Sequence, residues 1–136
     1  MNIQEIMSTD VHISSPHDSL QKAAQLMDEH DFGLLPVAEN DRLVGMLSDR
    51  DIVIRAVARG LVPETCEVRE VMSPDVMYVY DDESIEDAAR NMSNLQVRRL
   101  PVLNRDKRLV GIVSLGDLAL TEKRRAGNAL SRISQP

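Results

Sequence analysis

RLVGMLSDRDIVIRAV, residues 42–57, and RLVGIVSLGDLAL, residues 108–120, are two versions of one stretch. Each begins as an apolar run (43–47 and 109–113) that passes through Gly45 or Gly111 and meets Ser48 or Ser114. A helical pattern follows, with Asp51 or Asp117 three residues beyond the serine. A short unbroken apolar run reads as a strand buried on both faces, and the serine reads as the cap that opens a helix. The junction therefore points backbone N–H groups and partial positive charge out of a sheet end, beside a carboxylate. Such a place can hold a phosphate and grip a ribose. The same residues have a plainer use, because Ser-x-x-Asp is also a capping box, contributing roughly 0.5–2 kcal/mol per cap.

Outward from this stretch the whole chain repeats. Met7 and Met72, Ser19 and Ser84, and Pro36 and Pro101 are each 65 residues apart, while Gly45/Gly111 and Asp51/Asp117 are 66 apart. The additional residue falls within 104–107, a polar turn where length changes at little cost. In the first copy a short strand is expected around residues 11–13, then a helix capped by Ser19 and running to about His30. Its apolar positions Leu20, Ala23, Ala24 and Met27 share one helical face, as do Ile85, Ala88, Ala89 and Met92 in the second copy. Residues 34–38 and 43–47 read as a hairpin, and a second helix spans about 49–58 and stops at Gly60. The unit is strand, helix, strand, strand, helix. The last helix is expected to continue through Lys123, Arg124 and Arg125 to Gly127. We divide the chain into repeat 1 (1–60) and a connector, repeat 2 and short tail (61–136).

Composition limits what such a chain can do. Its 136 residues carry a net charge of −6, which argues against general nucleic-acid binding because that needs a basic face. With no Trp and one Phe, the core must be aliphatic, and the Met residues read as core filler. The start, MNIQEIMSTD, lacks the organisation of a secretory signal, and no apolar run approaches the roughly 18 residues of a membrane span. The lone Cys66, in a polar connector, fits a reducing cytoplasm and leaves open only a bridge between two chains. His12, His17, His30 and Cys66 lack metal-ligand spacing, and neither a nucleophile elbow nor a Cys–His pair suggests catalysis.

The doubled pattern IMSTDV, SLQKAAQLM, LLPV and RLVGMLSDRDI, answered by VMSPDV, SIEDAARNM, RRLPV and RLVGIVSLGDL, resembles a pair of cystathionine-β-synthase (CBS) domains, a Bateman module. The likeness covers about residues 3–122, and in extent the chain is similar to small stand-alone bacterial proteins of that family. It implies an α/β (α+β) fold of two β-α-β-β-α repeats packed sheet to sheet with pseudo-twofold symmetry, and a homodimer of such modules. It further implies a cleft taking an adenosine-containing ligand: AMP, ADP, ATP, NAD or S-adenosylmethionine. The family's pattern G-h-x-[ST]-x-x-D, where h is apolar, falls on Gly45, Ser48 and Asp51 and on Gly111, Ser114 and Asp117. By that resemblance the aspartates would accept from ribose hydroxyls, and the serines would lie near phosphate or ribose.

Arg50, with Arg98 or Arg99, is the expected source of positive charge for a phosphate across the cleft. Asp49 adds a negative charge there, which favours AMP, NAD or a neutral adenosyl group over ATP. Val11, Val76 and Tyr78 are weaker candidates for the base, with core packing as their other role. The chain is thus expected to be a non-catalytic cytoplasmic regulator with no tightly bound cofactor. Its partners would be a small adenosyl ligand, a second copy and an unidentified effector protein, with no nucleic acid and no membrane. The alternative is a ligand-free interaction or stress-response module in which serine and aspartate only cap helices. A redox or metal sensor using Cys66 is a third reading.

Overall fold

The computed structural model describes residues 1–95, 99–118 and 121. Two similar units follow one another. In the first, α1 (Leu20–His30) leads into the hairpin β1 (Leu34–Glu39) and β2 (Arg42–Ser48). A single helical turn, Asp49–Asp51, then widens into a π-type segment, Ile52–Val57, and together they form α2. In the second, β3 (Val79–Tyr80), α3 (Ile85–Leu95), β4 (Arg99–Leu103) and β5 (Leu109–Ser114) repeat the order. Helical residues follow Ser114, but the expected continuation to Gly127 lies outside the described residues.

Local chemistry accounts for these boundaries. Ser19 Oγ accepts from the Lys22 N–H at 3.1 Å, and Ser84 Oγ does the same for Asp87 at 3.1 Å, so each long helix is capped. Helix α1 ends at Asp31, which turns left-handed (φ 53°) and lets the Phe32 N–H reach the Met27 carbonyl at 3.1 Å. The buried face of α1 is Leu20, Ala23 and Met27, with Leu26 packed partly against it. Ala24 departs from the expected face and is exposed, because the contact stripe of α1 drifts toward Leu26. The first strand expected at 11–13 contracts to one parallel bridge at Ser14, whose N–H meets the Pro36 carbonyl at 3.0 Å. Its counterpart β3 pairs in parallel with β4 over two residues.

The cores are completed crosswise. Ile3, from the start of the chain, is fully buried among Val79, Ile85, Met92, Leu100 and Val113 of the second unit. Conversely Val68 and Val71, which lead into the second unit, are buried with Leu20, Leu35 and Leu47 of the first. Ser8 exchanges two hydrogen bonds with Ile112, both 2.8 Å, and Ser73 exchanges two with Met46, 2.8 and 2.9 Å. The glycine shared by the two repeats sits under each of these crossings. A Cβ on Gly111 would lie 2.6 Å from Met7 Sδ and 2.9 Å from the Ser8 carbonyl oxygen. On Gly45 it would meet Met72 Sδ at 2.6 Å and the Ser73 carbonyl at 2.9 Å. Each glycine is there because another backbone passes over it.

Cys66 corrects the reading of the connector. It is 5% exposed inside the first core, and burial pushes its thiol up, with Glu70 and Glu67 adding to the effect. A thiol so placed cannot bridge to a second chain without unfolding its surroundings.

Candidate functional site

The two hairpins approach each other and leave a cleft lined by Leu34, Pro36 and Met46 from one unit and by Leu100, Pro101 and Ile112 from the other. Asp10, His12, Phe32 and Arg99 complete it. The cleft is narrow, a cavity of about 20 Å³ within about 310 Å³ of space that includes the solvent at its open mouth. His12 and Phe32 line it and share a ring cluster with His30 outside the lining: His12 and His30 lie 3.7 Å apart, and His30 and Phe32 lie 5.7 Å apart with nearly parallel planes. The Arg99 guanidinium carbon sits 4.8 Å over the Phe32 ring centroid, and Asp10 Oδ2 is 3.5 Å from His12 Nε2. A cation over an aromatic face is held without giving up its donors, so Arg99 remains able to meet an anion. Flat apolar walls, parallel rings and one fixed cation suit a planar aromatic ligand that carries negative charge.

The two strand-end junctions are not equivalent. At the first, Ser48 Oγ accepts from the Asp51 N–H at 3.0 Å and Asp51 Oδ2 accepts from the Ser48 N–H at 2.9 Å, a closed capping box. The other oxygen, Asp51 Oδ1, stands 3.8 Å from Arg55 Nε. One carboxylate oxygen is therefore hydrogen-bonded within the capping box, and the other faces a cation. At the second, Ser114 Oγ accepts from the Asp117 N–H at 3.0 Å, but the exposed Asp117 carboxylate makes no hydrogen bond or ion pair among the described residues. Strand register adds a further difference. Arg99 is paired directly with Ser114 across β4 and β5, whereas Leu34 stands opposite Ser48.

Of the residues expected from the sequence, Arg99, Ser114 and Asp117 thus gather at one strand end. Arg50 does not join them. It is exposed on α2, in a shallow depression with Asp49, Val53 and Ile54, and it does not line the cleft opposite Arg99. Val76 and Tyr78 line a different depression, with Arg42, Leu43, Leu103 and Lys107, and Val11 is half-buried outside both linings. Arg98 lies outside the described residues. The ring stack was not anticipated. Phe32 is the only Phe of the chain and follows the end of α1 directly, a signal that a large apolar ring is spent at that position for a reason. Among the described residues no group of three or more His, Cys, Asp and Glu side chains converges so as to hold a metal ion.

Comparison with known proteins agrees with this architecture. The pattern of the CBS domain matches twice, over residues 3–57 and 68–121. A curated relative, the CBS domain-containing protein YhcV of Bacillus subtilis, is 43% identical over 135 residues, covering 98% of this chain and 95% of that protein. The crystal structure of Hypoxic Response Protein I with two coordinated zinc ions superposes with a TM-score of 0.79 at 43% identity, covering 88% of this chain and 97% of that one. The structure of CBSX2 in complex with AMP gives a TM-score of 0.78 at 29% identity, covering 92% and 98%.

Proposed function

This chain belongs to the CBS-domain family and carries the domain twice, and from that premise we propose that it is a non-catalytic regulatory module taking one adenosine-containing ligand in the cleft between its repeats. What supports the reading is that Arg99 lines the cleft with His12 and Phe32 and is paired across the strands with Ser114, three residues before Asp117, whose carboxylate has no partner among the described residues. The adenine lies against the rings, Arg99 meets the anionic group, and Asp117 accepts from the two ribose hydroxyls. A carboxylate offers two oxygens to a vicinal diol, and bonds to a charged group contribute roughly 1.5–3 kcal/mol each. Asp51 is less free for this part, because one of its oxygens accepts from the Ser48 N–H and the other faces Arg55 at 3.8 Å. The complex of CBSX2 with AMP supports the ligand class. With Asp10 beside the same cleft, AMP or a neutral adenosyl group is favoured over ATP.

Binding acts by population shift. A ligand touching both repeats favours one relative arrangement of them, and only to the extent that it binds that arrangement better. The output passes to a cytoplasmic partner protein and through a homodimer. Val53, Ile54, Val57, Leu61 and Val62 are all exposed on or just beyond α2, from 39% to 60%, an apolar face fit for burial. The charged residues on α2 are Asp49, Arg50, Asp51 and Arg55, with Arg59 just beyond its end. A twofold axis would set this apolar face against its copy.

A thermal-shift panel of AMP, ATP, NAD and S-adenosylmethionine tests the ligand reading. At 100 Kd a ligand adds about 2.7 kcal/mol, several degrees in Tm. Asp117→Asn is expected to weaken binding about tenfold or more, while Asp51→Asn lowers stability and leaves affinity within about twofold. Indifference to every adenine compound, by a folded protein, overturns the proposal and leaves the interaction module.

A further inference from the structure

A second depression lies at the other ends of the strands, where the two hairpin turns meet. Its lining is Arg42, Lys107 and Tyr78 over Leu43, Val76 and Leu103, with no carboxylate, and its open volume is about 540 Å³. The pseudo-twofold places Arg108 where Arg42 would be on the opposite side. There Arg108 Nη1 donates to the Asn40 carbonyl at 2.9 Å and stands 3.9 Å from Asp41, and the Leu109 N–H meets the Asp41 carbonyl at 2.9 Å. That side is closed by the protein's own groups. On the open side the nearby Arg105 is also spoken for: it forks onto Asp82 at 2.7 and 2.8 Å and lies 4.0 Å over the Tyr80 ring. The side chains of Arg42 and Lys107, by contrast, make no hydrogen bond or ion pair among the described residues.

Two such cations facing an apolar floor in a chain of net charge −6 call for an anion from outside. The turn offers a second sign. Residues 104–107 hold the one-residue insertion that breaks the repeat, and Lys107 adopts a left-handed backbone (φ 60°) that glycine or asparagine would take with less strain. The shorter first hairpin has no such lysine. Symmetry is broken here in a way that adds a cation to one depression only.

We propose that this depression binds a small anion carrying a flat apolar body, of the phosphate monoester class. Arg42 and Lys107 hold the anion, while the Tyr78 ring, Val76, Leu43 and Leu103 cover the body. The site is independent of the cleft between the repeats. The test is an amide-shift titration of the full chain with phenyl phosphate, and with inorganic phosphate alongside it. Saturable shifts are expected at Leu43, Val76, Tyr78 and Lys107, tighter for phenyl phosphate than for the bare anion. Arg42→Gln and Lys107→Gln should each weaken binding about tenfold. Lys107→Gly removes the charge while relieving the backbone, so it should bind as poorly as Lys107→Gln yet melt no lower than the parent. Asp117→Asn, at the far strand ends, should leave these shifts unchanged. Shifts that never saturate, that centre on Phe32 and Arg99, or that survive both substitutions overturn the proposal.

Discussion

Replacing Gly111 by alanine puts a methyl group where the leading segment of the chain crosses the second sheet. The new carbon would stand 2.6 Å from Met7 Sδ and 2.9 Å from the Ser8 carbonyl oxygen. Met7 can swing its thioether aside, but Ser8 is held by two 2.8 Å hydrogen bonds to Ile112 and cannot retreat without stretching them. Overpacking of this kind costs about 1–3 kcal/mol, and weakening those two bonds adds roughly 1 kcal/mol. The loss of unfolded-state freedom on leaving glycine returns about 0.4–1 kcal/mol. The expected net destabilisation is about 1–3.5 kcal/mol, read from urea unfolding of the full chain with an unchanged m-value. Met7→Ala combined with Gly111→Ala should recover only part of it, because the Ser8 carbonyl remains. Gly116→Ala is the control, since its Cβ meets nothing nearer than Ser114 Oγ at 3.7 Å. If Gly111→Ala unfolds at the same urea concentration as Gly116→Ala, the crossing is not as described.

Further expectations follow from the same contacts. Asp51→Ala opens the capping box and should cost about 1 kcal/mol in unfolding measurements, whereas Asp117→Ala should cost clearly less, because its carboxylate caps nothing among the described residues. Cys66 should react with a thiol reagent only at the rate of unfolding, and Cys66→Ser should cost about 1–3 kcal/mol by burying a hydroxyl in the first core. Burial pushes the Asp18 carboxyl up, but the Ser15 N–H, Lys22 and Ser14 outweigh it and hold it below the usual range. Its folded pKa is thus lower than its unfolded one, so its contribution is complete above about pH 4 and disappears as pH falls through the folded value. Asp18→Asn should therefore cost about 1 kcal/mol at pH 7 and narrow its gap to the parent at pH 3, by urea midpoints.

Much of the fold was legible because it is written within one helical turn or one strand. Ser19, Ser48 and Ser84 announce helix starts through bonds that span three residues, and Leu20, Ala23 and Met27 fall on one face by spacing alone. The family resemblance was equally readable, since two copies in the right register leave few alternatives. The candidate site was legible only in part. Arg99 and Ser114 could be named, but not that β4 and β5 pair them. Asp51 and Asp117 look alike in the sequence, and only the side-chain positions separate a carboxylate spent on its own helix from one left open.

Three features needed the tertiary structure. His12, His30 and Phe32 stack because α1 returns the chain beside the leading segment, a matter of path and not of pattern. Cys66 sits in a polar stretch and is buried nonetheless, because the segment around it is drawn under α1. Most of all, a repeat implies two like units without saying which leading segment covers which sheet. Ile3 fills the second core and Val68 the first. Hydrogen bonds between neighbours are encoded by spacing, but contacts between segments about 65 residues apart are decided by which apolar surfaces the folded chain can bring together.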